Sequence, residues 1–395
     1  MGLGLGHGHG RRILVLAGPK AGQCAHYQRD RSVPCAYLGL GGLGNYWHGV
    51  IPTALSSNFG AASSEDFAQL FARFYPHTSL RGHLHQPQLF VPWRPIRPGS
   101  ELARLQRRSE GTLAIRTQTV ARFRWYEAGV TVETIDGSNY RADRLWIAAG
   151  SIHTPALLDR SLGRRLSRDY VSDHALCYIG LLSGQPPPKI TRTRDGVFFP
   201  AHYDSEGTSL YTLRPARFEF RTLDFGIEQR AAFGLPTGSA MAKIMRRMSS
   251  GLLAEALFNR LGVFPKAEYY SVYAQTDVPD AYALGEGSLP LAAQTERLLR
   301  GGARSRERVP FEGVRHSRRH NLYIPGIHLH HSVAPETLLA CGIDQPQSPV
   351  KIMDASAVAE IGPEHHSFKL MLRAYARARR ASGGEAPVVA DRLSD

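Results

Sequence analysis

The amino-acid sequence predicts an α/β protein in which a domain with a parallel sheet is interrupted by a second domain of α+β type. Residues 11–18, RRILVLAG, form a short apolar run that ends in glycine, typical of a strand buried on both faces of a parallel sheet. Residues 144–150, RLWIAAG, repeat this pattern and are followed at once by the helical spacing of TPALLDRSLGRRL. Strand, turn and helix in this order indicate an α/β unit.

The elements around these two strands complete the prediction. Residues 111–150 are expected to form a meander, with a strand to about Phe123, then GVTVETI, then a turn at 136–139. The middle of the chain mixes strand-like pieces, VFFPAHY and EYYSVYAQT, with an amphipathic helix candidate at 240–262, which predicts a domain containing an antiparallel sheet. The end of the chain again has strand-like runs followed by helical spacing, as in the first domain: IHLHHSVA, VKIMDASAV and the helical pattern HSFKLMLRAYARARRAS.

These patterns divide the chain into segments. We expect the first domain to combine residues 1–173 and 321–385, the second to span 174–320, and 386–395 to form a tail. With 395 residues and 43% hydrophobic content, the chain is long enough for one large core or two moderate ones. No apolar run has the length of a membrane span, and the N-terminus lacks the order of a signal peptide, so a cytoplasmic location is expected.

Cysteine and charge patterns argue against two kinds of site. The four cysteines (Cys24, Cys35, Cys177 and Cys341) contain no CxxC pair, which is evidence against a zinc knuckle and against a disulfide framework. The net charge of +14 raises the question of nucleic-acid binding, and the charge is densest in residues 297–320. Aromatic residues are not interleaved there as on a stacking platform, so a solvated basic face is predicted instead.

One stretch combines glycines with aromatic residues. Residues 38–52, LGLGGLGNYWHGVIP, carry five glycines around Asn45, Tyr46, Trp47 and His48. Glycine lets the backbone approach another group closely, and aromatic rings offer flat faces, so the stretch suits a loop pressed against a flat ligand. A glycine-rich turn with a buried tryptophan is the alternative.

Histidines cluster in two late segments. HLHHSVAPE supplies His328, His330 and His331, and GPEHHSF supplies His365 and His366. Imidazole suits a general base because its pKa lies near working pH. His328 and His330 share a strand face and could hold a metal with His365 or His366, but no acidic or cysteine ligand accompanies them at a convincing spacing, so no metal is predicted. His328 is expected to be a hydrogen-bonded core residue.

Four separated motifs carry a resemblance to a known family. They are RRILVLAGP, GGLGNYWHG at 41–49, GSIHTPALLDRSLG at 150–163, and VKIMDASAV ahead of a His-containing turn and helix. In this order they resemble the glucose-methanol-choline (GMC) family of flavin-dependent oxidoreductases. The third motif is the most specific, with Leu162 in a position where the family usually has glycine.

The resemblance implies a Rossmann-like FAD-binding domain with an inserted substrate domain, and oxidation of an alcohol (CH–OH donor) by hydride transfer to FAD. It implies His331 as the first catalytic histidine, with His365 or His366 facing it, the two serving as base and hydrogen-bonding partner. An alcohol substrate and an electron acceptor are the implied partners. The implied cofactor-binding residues are Gly41, Gly42, Asn45, Trp47, His48, Val120, Ala149, Gly150, Thr154, Asp354 and Ala355.

The N-terminus departs from the family pattern. The stretch GLGLGHGHG has glycine at every even position from 2 to 10, so it lacks the G-x-G-x-x-G turn, and no strand precedes it. Ala17 stands where an acidic residue would hold the adenosine ribose. The first strand and its phosphate-binding turn are therefore expected to be missing. Two explanations follow: a truncated flavoenzyme, or a degenerate relative without tight FAD binding that acts as a binding or partner protein.

Overall fold

The computed structural model describes part of the chain. The described residues are 12–19, 26–27, 36, 39–46, 49–53, 62–83, 87–126, 129–183, 190–216, 269–285, 288–290, 292, 309–316, 322–325, 328–364 and 367–381. Several predictions fall outside these residues: those on Trp47, His48, His365 and His366, on the helix candidate at 240–262, and on the tail.

The described residues form a mixed α/β structure with five α-helices and several sheets. The helices are α1 (Ser64–Phe74), α2 (Pro98–Arg108), α3 (Gly150–Leu162), α4 (Pro335–Ala340) and α5 (Ser367–Ala381). The strands are β1 (Ile13–Ala17), β2 (His26–Tyr27), β3 (Ile51–Pro52), β4 (Gln88–Pro92), β5 (Leu113–Thr117), β6 (Val120–Tyr126), β7 (Gly129–Thr134), β8 (Asn139–Ala142), β9 (Leu145–Ile147), β10 (Tyr170–Ser183), β11 (Thr191–Arg192), β12 (Gly196–Pro200), β13 (His202–Tyr203), β14 (Ser209–Ala216), β15 (Tyr269–Ala283), β16 (Ser288–Leu289), β17 (Arg315–His316), β18 (Leu322–Pro325) and β19 (Val350–Ile352). Two short 3-10 helices span Gly42–Tyr46 and Ala355–Ala357.

The largest sheet lies in the middle of the chain and is antiparallel, as predicted, and the piece YYSVYAQT lies in its strand β15. The piece VFFP instead forms β12, which pairs with β4 in a separate antiparallel sheet of order β11-β12-β4-β3. The order of the largest sheet is β13-β14-β15-β10-β17, and β18 also pairs with β10. The long strands β10 and β15 form its centre, with Cys177 opposite Ala274. Alternating apolar residues of these strands form a buried core that includes Val171, Ile179 and Val272. Strand β10 begins at Tyr170 and therefore runs across residue 173, where the first domain is expected to end.

Parallel pairing appears at both ends of the chain. β1 pairs with β5, and β9 pairs with β19. The predicted strand up to about Phe123 is two strands, because β5 joins β1 while β6 joins the antiparallel meander β6-β7-β8. The expectation that β1 is buried on both faces is wrong: Leu14 is 40% exposed. In the described part of the chain β5 is its only strand neighbour, so β1 is an edge strand there and not the central strand for which burial on both faces is expected.

Helices α1 and α5 pack together through aromatic and aliphatic side chains. Helix α1 begins with a capping box, in which Ser63 Oγ accepts from Asp66 N–H and the Asp66 carboxylate accepts from Ser63 N–H. The rings of Phe67 and Phe368 meet edge-to-face, 5.5 Å between centroids. Phe71 packs against Phe90 of β4 in the same way, so the two helices and β4 share one apolar cluster.

Two further observations concern the cysteines and the possibility of a membrane-spanning helix. Cys177 and Cys341 are free thiols, and burial raises the pKa of Cys177 to about 12. None of the helices in the described ranges is long and apolar enough to cross a membrane.

Candidate functional site

Asp354 joins the ends of two parallel strands. It follows β19, and its Oδ2 accepts hydrogen bonds from Gly150 N–H (2.8 Å) and from Thr154 Oγ1 (2.5 Å), both of which follow β9. Its Oδ1 accepts from the backbone N–H (2.9 Å) and hydroxyl (2.6 Å) of Ser356. In open α/β sheets, ligands bind beyond the carboxyl ends of the strands, and Asp354 lies at such an edge.

Gly150 begins helix α3 with a left-handed backbone, φ +84°. A Cβ at this position would meet nothing within 4 Å, so the space beside the start of the helix is open. The Asp354 carboxylate at this helix N-terminus interacts favourably with the helix dipole. Val120 and Ala149 pack beneath this edge, in the apolar cluster that also contains Ile147 and Ile352.

His331 lies beside the same edge. Its backbone N–H donates to the carbonyl of Ala355 (3.1 Å), and its φ of +53° is unusual for a non-glycine residue. Arg168 Nη1 lies 2.9 Å from both His331 Nδ1 and the His331 carbonyl oxygen, and Arg168 Nη2 lies 2.9 Å from Asp280. Burial, the Arg168 guanidinium and His330 lower the pKa of His331, while Asp280 and Glu336 oppose that shift.

His330 points into the protein and is fully buried. Its Nε2 is 3.0 Å from Asp277 Oδ1, and its backbone pairs with Ser172 of β10. Asp277 Oδ2 also accepts from Ile361 N–H (3.2 Å). Burial raises the pKa of Asp277, but the hydrogen bond and charge of His330 outweigh that effect, so the net pKa is lowered.

A second buried histidine, His174 of β10, fixes the segment before His365 and His366. Its Nε2 donates to the carbonyl of Pro363 (2.8 Å). The carboxylate of Asp173 accepts from the backbone N–H groups of His174 and His328, so Asp173 joins β10 to the segment that carries the three histidines. Within the described ranges no three His, Cys, Asp or Glu side chains are arranged to hold a metal ion.

The buried His174 predicts a loss of stability in mild acid. Burial is the main cause that lowers its pKa from 6.5 to about 4. Above the usual histidine pKa both folded and unfolded chains are neutral at this site and stability is complete. As pH falls, the unfolded chain binds the proton first, and stability is lost down to the folded-state pKa. We expect this residue to cost about 1.3 kcal/mol between about pH 7.5 and about pH 5.5.

Urea unfolding of the wild type and of His174→Gln at the two pH values measures this contribution. The variant keeps an N–H donor for Pro363 but cannot be protonated, so its stability should vary less with pH by that amount. Equal pH dependence of the two proteins would contradict the assignment.

The glycine-rich loop has a protein partner. Asn45 Oδ1 accepts from Gly99 N–H (2.9 Å) at the start of α2, and its Nδ2 donates to the carbonyl of Leu40 (2.8 Å). A Cβ on Gly41 would lie 2.5 Å from the Gly99 nitrogen, so the glycine is needed for this close approach. Residues 39–44, GLGGLG, have the spacing G-x-G-x-x-G, but the last three of them already lie in the five-residue 3-10 helix Gly42–Tyr46 and do not open an α-helix.

The structure thus brings some of the predicted site residues together. Gly150, Thr154, Asp354, Ala355 and His331 meet at one edge. Gly41 and Asn45 instead hold the start of α2, with Gly42 between them in the same loop. Sequence reasoning missed the polar residues that surround the histidines: Arg168, Asp277 and Asp280. No motif marks them, because each lies in a strand-like or basic stretch far along the chain from its histidine.

Comparisons with known proteins give similarity to solved structures alone. No family model matches the sequence, and no curated protein matches it. Pyridoxine 4-oxidase from Mesorbium loti is similar at 14% identity and a TM-score of 0.35, covering 75% of this chain and 64% of that one. Formate oxidase from Aspergillus oryzae is similar at 13% identity and a TM-score of 0.29, covering 69% and 60%.

A halogenase, PltM, is also similar, at 13% identity and a TM-score of 0.27, covering 74% of this chain and 48% of the halogenase. Another structure of this halogenase was determined in complex with FAD. The chain spans less than two thirds of the length of each of these three proteins. Similarity at this level assigns no activity.

Proposed function

We propose that the chain is an FAD-dependent oxidoreductase of the GMC type that oxidises an alcohol. One observation carries the proposal: two of the four motifs that resemble one family, about two hundred residues apart, meet together with His331 at one edge of the structure. Gly150 N–H donates to Asp354, and His331 N–H donates to Ala355. The expected division into an FAD-binding domain (1–173 and 321–385) and a substrate domain (174–320) is part of this proposal.

The residues at this edge fit the flavin end of FAD. Gly150 leaves open space beside the start of α3. The hydroxyl of Ser332, next to His331, is fully buried and has no hydrogen-bond partner in the described part of the chain. Arg373 of α5 also has a buried Nη1 without a partner there, and its charge interacts with Asp354. Open space beside Gly150, together with buried donors on the neighbouring segments that have no partner among the described residues, suits a flat ring that carries carbonyl and nitrogen acceptors.

When bound, FAD would accept the hydride from the alcohol carbon. The chain has to supply one group that removes the hydroxyl proton and one that holds the hydroxyl oxygen, and a pair of imidazoles can do both. We propose His331 and one of His365 and His366 for these two tasks. Residues 361–364 support this pairing, because Asp277 binds both His330 and Ile361, and His174 binds Pro363. The segment preceding His365 is thereby fixed close to the segment that carries His331.

The absorbance spectrum of the purified protein tests the cofactor. We expect a yellow protein, or a colourless one that binds added FAD tightly enough to retain the flavin through gel filtration. Anaerobic addition of a panel of alcohols should then bleach the flavin absorbance. Ser332→Ala should weaken FAD retention, and Ser348→Ala, whose hydroxyl bonds locally to Val350, is the matched control that should not. Flavin that is bound but not bleached by any alcohol contradicts the substrate class.

A second candidate is a flavin-free relative that acts as a binding or partner protein. The observation that favours it is the occupied N-terminus of α3, where Gly150 N–H and Thr154 Oγ1 are already bonded to the Asp354 carboxylate. A further anion at this point would be repelled by that carboxylate. A colourless protein that FAD does not reconstitute would support this candidate against the first.

A further inference from the structure

This inference rests on the proposed function and divides its two tasks between the histidines. We propose that His331 acts as a hydrogen-bond donor to the substrate oxygen through Nε2–H, and that Arg168 is the positioning residue that fixes His331 in this tautomer. Removal of the hydroxyl proton is then assigned to His365 or His366, the pair that the family resemblance implies.

The tautomer follows from the chemistry of the guanidinium group. Arginine has N–H donors and no acceptor, so the nitrogen that it contacts must accept. Arg168 Nη1 lies 2.9 Å from His331 Nδ1 and 2.9 Å from the His331 carbonyl oxygen. The two hydrogens of one Nη1 group therefore have two acceptors. A neutral imidazole whose Nδ1 accepts carries its single proton on Nε2.

The guanidinium group cannot turn away from this contact without breaking others. Arg168 Nη2 is held by Asp280 at 2.9 Å, and the backbone N–H of Arg168 donates to the carbonyl of Ser332. His331 is itself held at both ends of its backbone, by Ala355 and by Arg168, in a left-handed conformation that a histidine seldom adopts. The contact therefore fixes both the tautomer and the position of the ring.

The charges around His331 keep it neutral. Protonation would place an N–H on Nδ1, directly opposite the N–H groups of Arg168. Burial, Arg168 and His330 disfavour the charged form, and the two carboxylates that face the ring, Asp280 and Glu336, oppose them without reversing the direction. His331 thus stays neutral with its proton on Nε2 at neutral pH, and this nitrogen has no lone pair with which to accept the hydroxyl proton.

Nε2–H is left for a ligand. Among the described residues, the hydrogen bonds of the His331 side chain involve Nδ1 and none involves Nε2, and the residue is partly exposed. Donation to the substrate oxygen stabilises the negative charge that develops there as the hydroxyl proton leaves. With FAD bound as the hydride acceptor, the hydroxyl proton would pass to His365 or His366 and the alcohol would become a carbonyl compound, so protons and electrons balance. The site should accordingly favour a hydroxyl group over a protonated amine, which has no acceptor for this donor.

Nitrogen NMR of the full-length chain with ¹⁵N-labelled histidine tests the tautomer without any dependence on FAD. We expect the His331 signals, assigned by their absence in His331→Gln, to have the pattern of an Nε2–H tautomer at neutral pH and to titrate below the usual histidine range. In Arg168→Met the titration should move to higher pH and the tautomer preference should be lost. Arg168→Lys, which still offers only donors, should restore part of the preference.

Arg165→Met is the matched control, because Arg165 is exposed and pairs with Asp169 away from the ring; it should leave the His331 signals unchanged. An Nδ1–H tautomer or a protonated His331 in the wild type would overturn the inference, and so would identical His331 titrations in wild type and Arg168→Met. Circular dichroism establishes that each variant is folded. Failure to bind FAD is a separate result, which overturns the proposed function and leaves the measured tautomer in place.

The FAD-loaded protein provides a second readout. Glutamine offers an N–H donor but is not a base, whereas phenylalanine offers neither. If His331 donates, His331→Gln should reduce bound flavin with an alcohol about tenfold faster than His331→Phe, which corresponds to one hydrogen bond. If His331 were the base, both variants would lose the reaction equally, and the inference would be wrong.

Discussion

Replacement of Lys369 by methionine is expected to lower the free energy of unfolding by about 3–5 kcal/mol. Lys369 Nζ lies 2.5 Å from Glu364 Oε2, and both side chains are 0% exposed. The ammonium group also donates to the carbonyl of Ile361 (2.6 Å), and Glu364 accepts from the hydroxyl of Tyr203 (2.7 Å). Burial lowers the pKa of Lys369, and Glu364 opposes that shift. Without Lys369, the Glu364 carboxylate is left as a buried charge without its counter-ion.

Urea unfolding followed by circular dichroism measures the loss. The double variant Lys369→Met/Glu364→Gln should recover much of the stability, because it removes the uncompensated charge and keeps an acceptor for Tyr203. Lys351→Met is the control at a partly exposed lysine of β19, which contacts the carbonyls of Gln345 and Pro346; it should cost less than about 1 kcal/mol. A loss below about 1 kcal/mol in the single variant would show that the pair is not stabilising.

The same ion pair illustrates what a sequence pattern can predict of this fold. The apolar spacing of HSFKLMLRAYARARRAS predicts a helix, and α5 spans Ser367–Ala381. Phe368 and Lys369 of this helix are both fully buried, and the apolar spacing gives no reason to bury Lys369. Its burial depends on Glu364 and on the Ile361 carbonyl. The segment that carries them is held by hydrogen bonds of Ile361 N–H to Asp277 of β15 and of the Pro363 carbonyl to His174 of β10. Tertiary pairing of this kind leaves no periodic signal.

The candidate site likewise contains residues that the sequence predicts and residues that it does not. Gly150 and Asp354 are predicted through the motifs that resemble the GMC family, and they meet in the structure because the strands that precede them, β9 and β19, are parallel neighbours. Arg168 and Asp280 are not predicted. Arg168 contacts His331 from the connection before β10, and Asp280, which pairs with Arg168, lies in β15. The two residues are more than one hundred positions apart in the chain. A single arginine in a basic sequence is also not distinctive.

The sequence and the structure suggest different reasons for the glycines of the glycine-rich loop. Its sequence indicates a loop against a flat ligand, whereas the structure assigns the close approach of Gly41 to the start of α2. Both interpretations use the same property, a backbone without Cβ at close range, and a sequence does not identify the approaching group. The residues that would discriminate, Trp47 and His48, lie outside the described part of the chain and remain a prediction for flavin binding.

Asp354→Ala is expected to lower the free energy of unfolding by about 3–4 kcal/mol, because the carboxylate accepts four hydrogen bonds and two of them come from a segment two hundred residues earlier. Asp354→Asn should lower the free energy of unfolding by less than Asp354→Ala, because one acceptor oxygen remains. It should still be destabilising, because the new NH2 group must face two of the four donors. Asp204→Ala is the matched control: Asp204 accepts two hydrogen bonds from Thr208 within one turn and joins no distant segments, so about 1 kcal/mol is expected. Urea unfolding of the three variants ranks them. If Asp354→Ala and Asp204→Ala lose equal stability, Asp354 does not act as the link between β9 and β19, and the edge on which the flavin proposal depends is held by other contacts.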